Sequence, residues 1–319
     1  VIIGLLPGYE KLGWLAPVLL AVMRFLQGIG LGGAWDGLTL QLQNAAPKNR
    51  NGFYAMIPQL GGPLGFIVAA SLYYVLTGFL TTEEFYQFGW RFGFFAVFGV
   101  NVVALFARIR LLEADFGGDP QVLRSAPFGD LLRTQWKPIL ISTFLPLASY
   151  ALFHMVTVFP LAYELLYTDM HVSSILLTQL LGGILAVFGV IASGVLADRI
   201  GRQQVLWIST SLIVLLCLTI NALNTAPAVF LLPGFLLLGL AYGQASAIVP
   251  NRYPAEFRYS GTALSTNLSW LVGAAFAPLA GLALTAAFGL WAAALYLLSG
   301  VIVTVVTLYL YQSWARRTA

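Results

Sequence analysis

The sequence predicts an all-α membrane protein, and three observations predict it. Of its 319 residues 59% are hydrophobic and only 9% are charged, where a soluble domain is about a quarter charged. Long uncharged runs separate the few charges, and the basic residues gather on one side of those runs. A soluble enzyme, a nucleic-acid binder and a disordered chain are excluded. The net charge of +4 and the pI of 9.2 fit basic loops at one membrane face. One cysteine, Cys217, and two histidines, His154 and His171, leave no disulfide framework and no Cys- or His-rich metal site. No metal and no cofactor are expected.

A helix needs about 20 apolar residues to cross a bilayer. After a short apolar start (residues 1–6) and a loop (7–13), a first span covers about 15–42. It carries Arg24 and Asp36 inside an otherwise apolar stretch. Further spans fall in the uncharged runs 51–82, 92–107, 138–163 and 170–197, the second completed by snorkelling flanks. The run 203–251 holds two spans broken at 221–227, and 259–315 holds two broken near 286–289. The count is nine. Barrel strands would alternate over about 10 residues, and these runs are continuous.

With the segment 47–52 on the cytoplasmic side, 13 of the 16 basic residues face the cytoplasm, Arg199, Arg202, Arg252 and Arg258 among them. Lys11 and Arg91 fall outside, and Arg24 lies within the membrane. This bias orients the chain with its C-terminus in the cytoplasm.

Two stretches look alike. Pro47, Arg50 and Gly52 lead into Gln59-Leu60; Pro254, Arg258 and Gly261 lead into Asn267-Leu268. Gly261 lies 209 residues after Gly52. Such a repeat indicates two homologous halves, a common build of secondary transporters. The second half starts near 138 with six spans, so roughly 70 residues of the first half would precede Val1. A protein of nine helices is the alternative. Residues 113–137, with Gly117-Gly118-Asp119-Pro120, read as a cytoplasmic linker between 1–112 and 138–319.

The loop Gly194-x-Leu196-Ala197-Asp198-Arg199-x-Gly201-Arg202 resembles the G-x-L-A-D-R-x-G-R signature of the major facilitator superfamily. Arg24-x-x-Gln27-Gly28, followed by Gly32-Gly33-Ala34-Trp35, is similar to the fourth-helix stretch R-x-x-Q-G-x-x-x-G-G-E-W of the metabolite:H+ symporter branch. That branch includes 2-oxoglutarate, shikimate, citrate and proline/betaine permeases. The runs Gly89-Trp90-Arg91-Phe92 and Tyr253–Gly261 resemble it too. The resemblance implies the major facilitator fold, two pseudo-symmetric six-helix halves, with the first two to three helices missing from this chain. It implies a monomeric, multi-pass transporter of the cell inner (plasma) membrane. Its partners would be a small-molecule substrate, protons and the lipid bilayer, with no nucleic acid. The expected reaction is proton-coupled symport of a small organic acid or a zwitterion by alternating access. The fragment alone is not expected to transport. Where the branch has Glu this chain has Ala34, and where it often has an acid this chain has Gln43. A transporter-like sensor, a nonfunctional remnant and a passive facilitator remain as alternatives.

The candidate residues follow from charge and polarity inside spans. Arg24 lies roughly 13 Å into its helix, where an unpaired charge must face a cavity or a partner. A guanidinium can bind a carboxylate bidentately, and Gln27 shares its face. Asp36 stands about 18 Å further along and about 120° around; with His154 it is the candidate for proton coupling. Gln59, Tyr150, Gln179, Gln244, Asn267 and Trp270 are candidate cavity residues, with hydrogen bonding between helices as the alternative for each. In the signature loop, Gly194 and Gly201 allow close approach. Asp198 can face the positive N-terminus of a helix, and pseudosymmetry selects the one starting at Asn51-Gly52. Arg199 and Arg202 can pair with Asp198. Together with Arg50 and Arg258 they form a candidate cytoplasmic gate. Gly28/Gly32, Gly33/Gly37 and Gly61-Gly62-Pro63-x-Gly65 serve packing, and Pro58 and Pro63 kink their helix. No phosphate-binding loop and no nucleophile triad occurs, so neither an ATP-driven pump nor an enzyme is expected.

Overall fold

The computed structural model describes residues 1–32, 34–114, 127–168 and 171–318. Residues 115–126 of the expected linker, and the side chains of Trp35, Arg108, Arg110, Arg316 and Arg317, lie outside that description. Among the described residues every regular element is helical. The main helices are α1 (Leu15–Leu31), α2 (Ala34–Asn44), α3 (Asn51–Met56), α4 (Gly61–Phe79), α5 (Arg91–Ala114), α6 (Trp136–Phe144) and α7 (Leu147–Thr157). They continue with α8 (Phe159–Tyr167), α9 (Val172–Ile200), α10 (Arg202–Cys217), α11 (Ala228–Ala245), α12 (Arg258–Gly273), α13 (Ala277–Phe288) and α14 (Ala293–Thr318).

The chain forms two compact units. The first comprises Val1–Gly32 and Ser71–Arg124; the second comprises Gly33–Ala70 and Ser125–Ala319. In the first, Arg91 at the start of α5 donates to the carbonyls of Gly4 and Leu6, both at 3.0 Å, and so closes the turn after the Ile2–Leu5 helix. Outside the helices, Thr81 and Glu84 form a capping box at the short Thr82–Glu84 helix.

Among the described residues six helical stretches are long and apolar enough to cross a membrane: Asn51–Phe79, Trp136–Tyr167, Val172–Ile200, Ala228–Ala245, Ala255–Phe288 and Leu290–Gln312. Thr82–Gly89 with Arg91–Phe106, bent by 46°, makes a seventh. Leu15–Gly30 and Arg202–Cys217 are apolar but shorter. The expected single span at 15–42 is therefore corrected. Its helix ends at Gly32, whose ψ of 124° leaves the helical region. The arithmetic that related Arg24 to Asp36 along one straight helix does not apply. The expected breaks at 221–227 and 286–289 are present. A 3-10 turn at Ile220–Asn224 precedes Pro227, and Gly289 adopts φ +92°, a conformation that favours glycine.

In the second unit, packing follows from small residues and from repaired kinks. A Cβ on Gly239 would collide with the Ala186 carbonyl, and one on Gly189 would come within 2.5 Å of the Leu236 carbonyl. These glycines let α9 and α11 approach backbone to backbone, as membrane helices do. Pro146 and Pro160 break the stretch Trp136–Tyr167. Buried backbone groups need partners where water is absent, and side chains supply them. The Thr304 hydroxyl accepts the Ala148 N–H at 3.0 Å and donates to the Phe144 carbonyl at 3.4 Å. Pro160 has no N–H for the Val156 carbonyl. The Gln179 amide donates to that carbonyl at 2.9 Å and to the Thr157 carbonyl at 2.7 Å.

Candidate functional site

The signature loop ends α9, and its geometry is set by Gly201, which turns the chain into α10 with φ +90°. Asp198 accepts the backbone N–H of Gly52 at 2.6 Å and that of Phe53 at 3.1 Å. These are free N-terminal donors of α3, and a carboxylate there also meets the positive end of the helix dipole. Close approach makes it possible. A Cβ on Gly52 would lie 2.7 Å from the Ala197 Cβ and 2.9 Å from the Gly194 carbonyl; one on Gly194 would lie 2.6 Å from the Met56 side chain.

Arg202 does not pair with Asp198. It donates to the Asn51 carbonyl at 2.8 Å and to the Ala247 carbonyl at 3.1 Å. Among the described residues neither Arg199 nor Arg202 forms an ion pair with Asp198, whose two oxygens each accept a backbone N–H. Arg50 precedes α3 as its N-cap residue without a side-chain cap, and Arg50 and Arg199 line a shallow depression beside Asp198. Arg258 opens α12.

The polar interior of the second unit centres on α2. Asp36 is 3% exposed, forms no ion pair among the described residues, and its Oδ1 has no hydrogen-bond partner. The Thr266 hydroxyl lies beside the carboxyl, and the phenols of Tyr150 and Tyr242 are within electrostatic range. Tyr150 packs on Trp270 with ring centroids 4.6 Å apart. Phe153 joins Trp270 and Tyr242 at 5.2 and 5.8 Å. His154 lies at the edge of this aromatic group, 6.2 Å from Trp270, its Nδ1 buried without a partner. Tyr150, His154, Trp270 and Asp36 are thus brought to one region.

The glutamines have specific partners. Gln59 donates to Ser246 Oγ at 2.6 Å and to Thr39 Oγ1 at 3.3 Å. Gln244 donates to the Gly52 carbonyl at 3.2 Å. Gln179 holds the Pro160 kink with its amide hydrogens, which leaves only its oxygen for any other contact. Asn267 stands on the exposed face of α12, bonded at 2.7 Å to its own helix at Ala263; unlike Trp270, it does not join the aromatic group. In the first unit, Arg24 donates to Gln27 at 3.1 Å and lies 5.4 Å from the Phe94 ring centroid.

Tyr242, Phe153, Thr39, Ser246 and Thr266 are absent from the sequence candidates. An aromatic ring within an apolar run reads as packing, and a Ser or Thr hydroxyl there gives little signal, since it usually bonds to its own helix.

A family profile described as Major Facilitator Superfamily matches residues 2–267. The chain is 35% identical to the inner membrane metabolite transport protein YhjE of Escherichia coli (strain K12), over 97% of this chain and 73% of the relative. It is 28% identical to the shikimate transporter of the same strain, over 99% and 75%. Identity to that strain's proline/betaine transporter is 26%, over 96% and 64%. The helices are those of a multi-pass membrane protein, and the family and its named relatives are membrane transporters, not enzymes. The chain belongs to the Major Facilitator Superfamily, as a metabolite transporter.

Proposed function

We infer that this protein is a proton-coupled symporter, in the inner membrane, of a small organic acid or a zwitterionic metabolite. The observation that carries the reading is Asp36: a buried carboxyl whose Oδ1 has no hydrogen-bond partner, with two tyrosines within electrostatic range. A buried unpaired charge costs several kcal/mol, so a group of this kind suits a site that takes up and releases a proton. His154 is the second candidate for that path. Relatives named as shikimate and proline/betaine transporters support a substrate that bears a carboxylate. In the first unit Arg24, with Gln27, is the candidate carboxylate contact; in the second, Trp270 and Tyr150 are candidate substrate contacts.

Two halves, 1–112 and 138–319, joined by 113–137, would rock about a midplane site in a monomer with a cytoplasmic C-terminus. The Asp198 contact with α3 would act as a cytoplasmic latch, made when the site opens outward and broken when it opens inward. Protonation of Asp36 would bias that equilibrium.

The test is uptake of labelled carboxylates and betaines into proteoliposomes holding the full-length protein, with and without an inward proton gradient, beside Arg24→Ala. Gradient-driven uptake of one compound, lost in the variant, is expected. Uptake indifferent to both would leave a facilitator.

A further inference from the structure

We propose that Gln43 is the positioning residue that links the helix of Asp36 to the Asp198 latch. The inference rests on the proton-coupling reading of Asp36 and adds the route by which that site reaches the latch.

The route is a set of contacts at the turn after α11. The Ala247 carbonyl accepts two donors. One is Arg202 Nη1 at 3.1 Å, from the signature loop; the other is Gln43 Nε2 at 3.3 Å, from the last turn of α2. The same arginine holds the Asn51 carbonyl at the start of α3 at 2.8 Å, next to the Gly52 N–H that Asp198 takes. One residue before the end of α11, Gln244 grips the Gly52 carbonyl at 3.2 Å. Loop, α3 and α2 therefore meet on the few residues 244–247. Gln43 is 7% exposed and lies seven residues, about two turns, beyond Asp36 on α2. A rigid helix carries a shift at one of these positions to the other.

A second tie of α2, Thr39 to Gln59 to Ser246 at 3.3 and 2.6 Å, reaches the same turn at Ser246, where Gln43 and Arg202 meet at Ala247. It supplies a control. The titratable groups facing Asp36 are Tyr150 from α7 and Tyr242 from α11, with Thr266 from α12; Tyr259 of α12 lies over Gly37.

Spatial connection alone does not establish coupling, so the test is a mutant cycle. Met56 is buried at the seam between α3 and α9. In a Cys217→Ser background, Met56→Cys reports latch opening through its rate of reaction with a maleimide in the full-length protein. Asp36→Asn removes the uncompensated charge from the closed packing and is expected to slow labelling about fivefold or more. With Gln43→Met, which keeps the volume and removes the donor, the same Asp36→Asn change should alter the rate by less than about twofold, the limit of ordinary additivity. Gln43→Asn, one methylene short of Ala247, should behave alike and serves if Gln43→Met does not fold. Thr39→Val should leave the fivefold effect in place. Equal slowing with and without Gln43 would overturn the link and leave the Asp36 reading intact. No slowing by Asp36→Asn in the protein that keeps Gln43 would overturn the Asp36 reading, and the link with it.

Discussion

The Asp198 carboxylate holds the backbone N–H groups of Gly52 and Phe53 at 2.6 and 3.1 Å, so that one side chain ties the end of α9 to the start of α3. Charge-assisted bonds of this type are roughly twice as strong as neutral ones. Their partners are backbone donors on a helix end, which cannot rotate away. If the ends separate, both bonds break together, and this gives the contact the all-or-none character that a latch needs.

Asp198→Asn keeps the shape and removes the charge. Latch opening, read as maleimide labelling of Met56→Cys, should rise roughly 5- to 30-fold, the equivalent of about 1–2 kcal/mol. An unchanged rate would show that the carboxylate charge does not hold α3.

Gly52→Ala places a methyl group against Ala197, Asp198 and the Gly194 carbonyl, within 2.7 to 2.9 Å of each. Two of the three neighbours are backbone or a short side chain and cannot retreat cheaply. Overpacking of this kind costs typically 1–3 kcal/mol. Thermal unfolding in detergent should show that loss, and uptake should fall while membrane insertion is retained.

Gln179→Leu leaves the Val156 and Thr157 carbonyls without donors at the Pro160 kink. A buried unsatisfied group costs about 1–3 kcal/mol. Stability should drop by that order, with the apparent substrate KM unchanged in the surviving protein. A raised KM at normal stability would instead make Gln179 a substrate contact.

Glu84, in the capping box of the Thr82–Glu84 helix, accepts the Thr81 N–H and hydroxyl, both at 2.9 Å. Glu84→Ala removes both acceptors, and loss of a cap destabilises the turn that it closes. Hydrogen exchange at residues 81–85 should rise accordingly. An unchanged rate would show that the box does not hold this turn.

Much of the second unit was legible in the sequence because charge gaps, glycine and proline report directly on membrane helices. The turn at Gly289 and the break before Pro227 fell where the runs placed them. The partner of Asp198 was legible through the repeat of Arg50-x-Gly52 in the Arg258–Gly261 stretch. The end of α1 at Gly32 was not, because glycine is common inside membrane helices and a broken helix leaves the same apolar run as a continuous one. Gln179 stayed between two readings, cavity lining and hydrogen bonding between helices, for a different reason. Its role depends on Pro160, whose missing N–H frees a carbonyl that only the packed structure shows to be within reach. Gln43 read as a lost acid, and its bond to a backbone carbonyl left no trace in the sequence.

The central claim is that Asp36 couples a proton to transport. The most direct measurement compares two modes of the same variant in proteoliposomes. Substrate exchange needs no net release of the proton, whereas accumulation on a proton gradient does. Asp36→Asn should retain exchange at a rate within about tenfold of the native protein and lose gradient-driven accumulation, a loss of many-fold binding bias of the kind a single site can supply. Gradient-driven accumulation that persists in Asp36→Asn would contradict the account and move the proton path elsewhere.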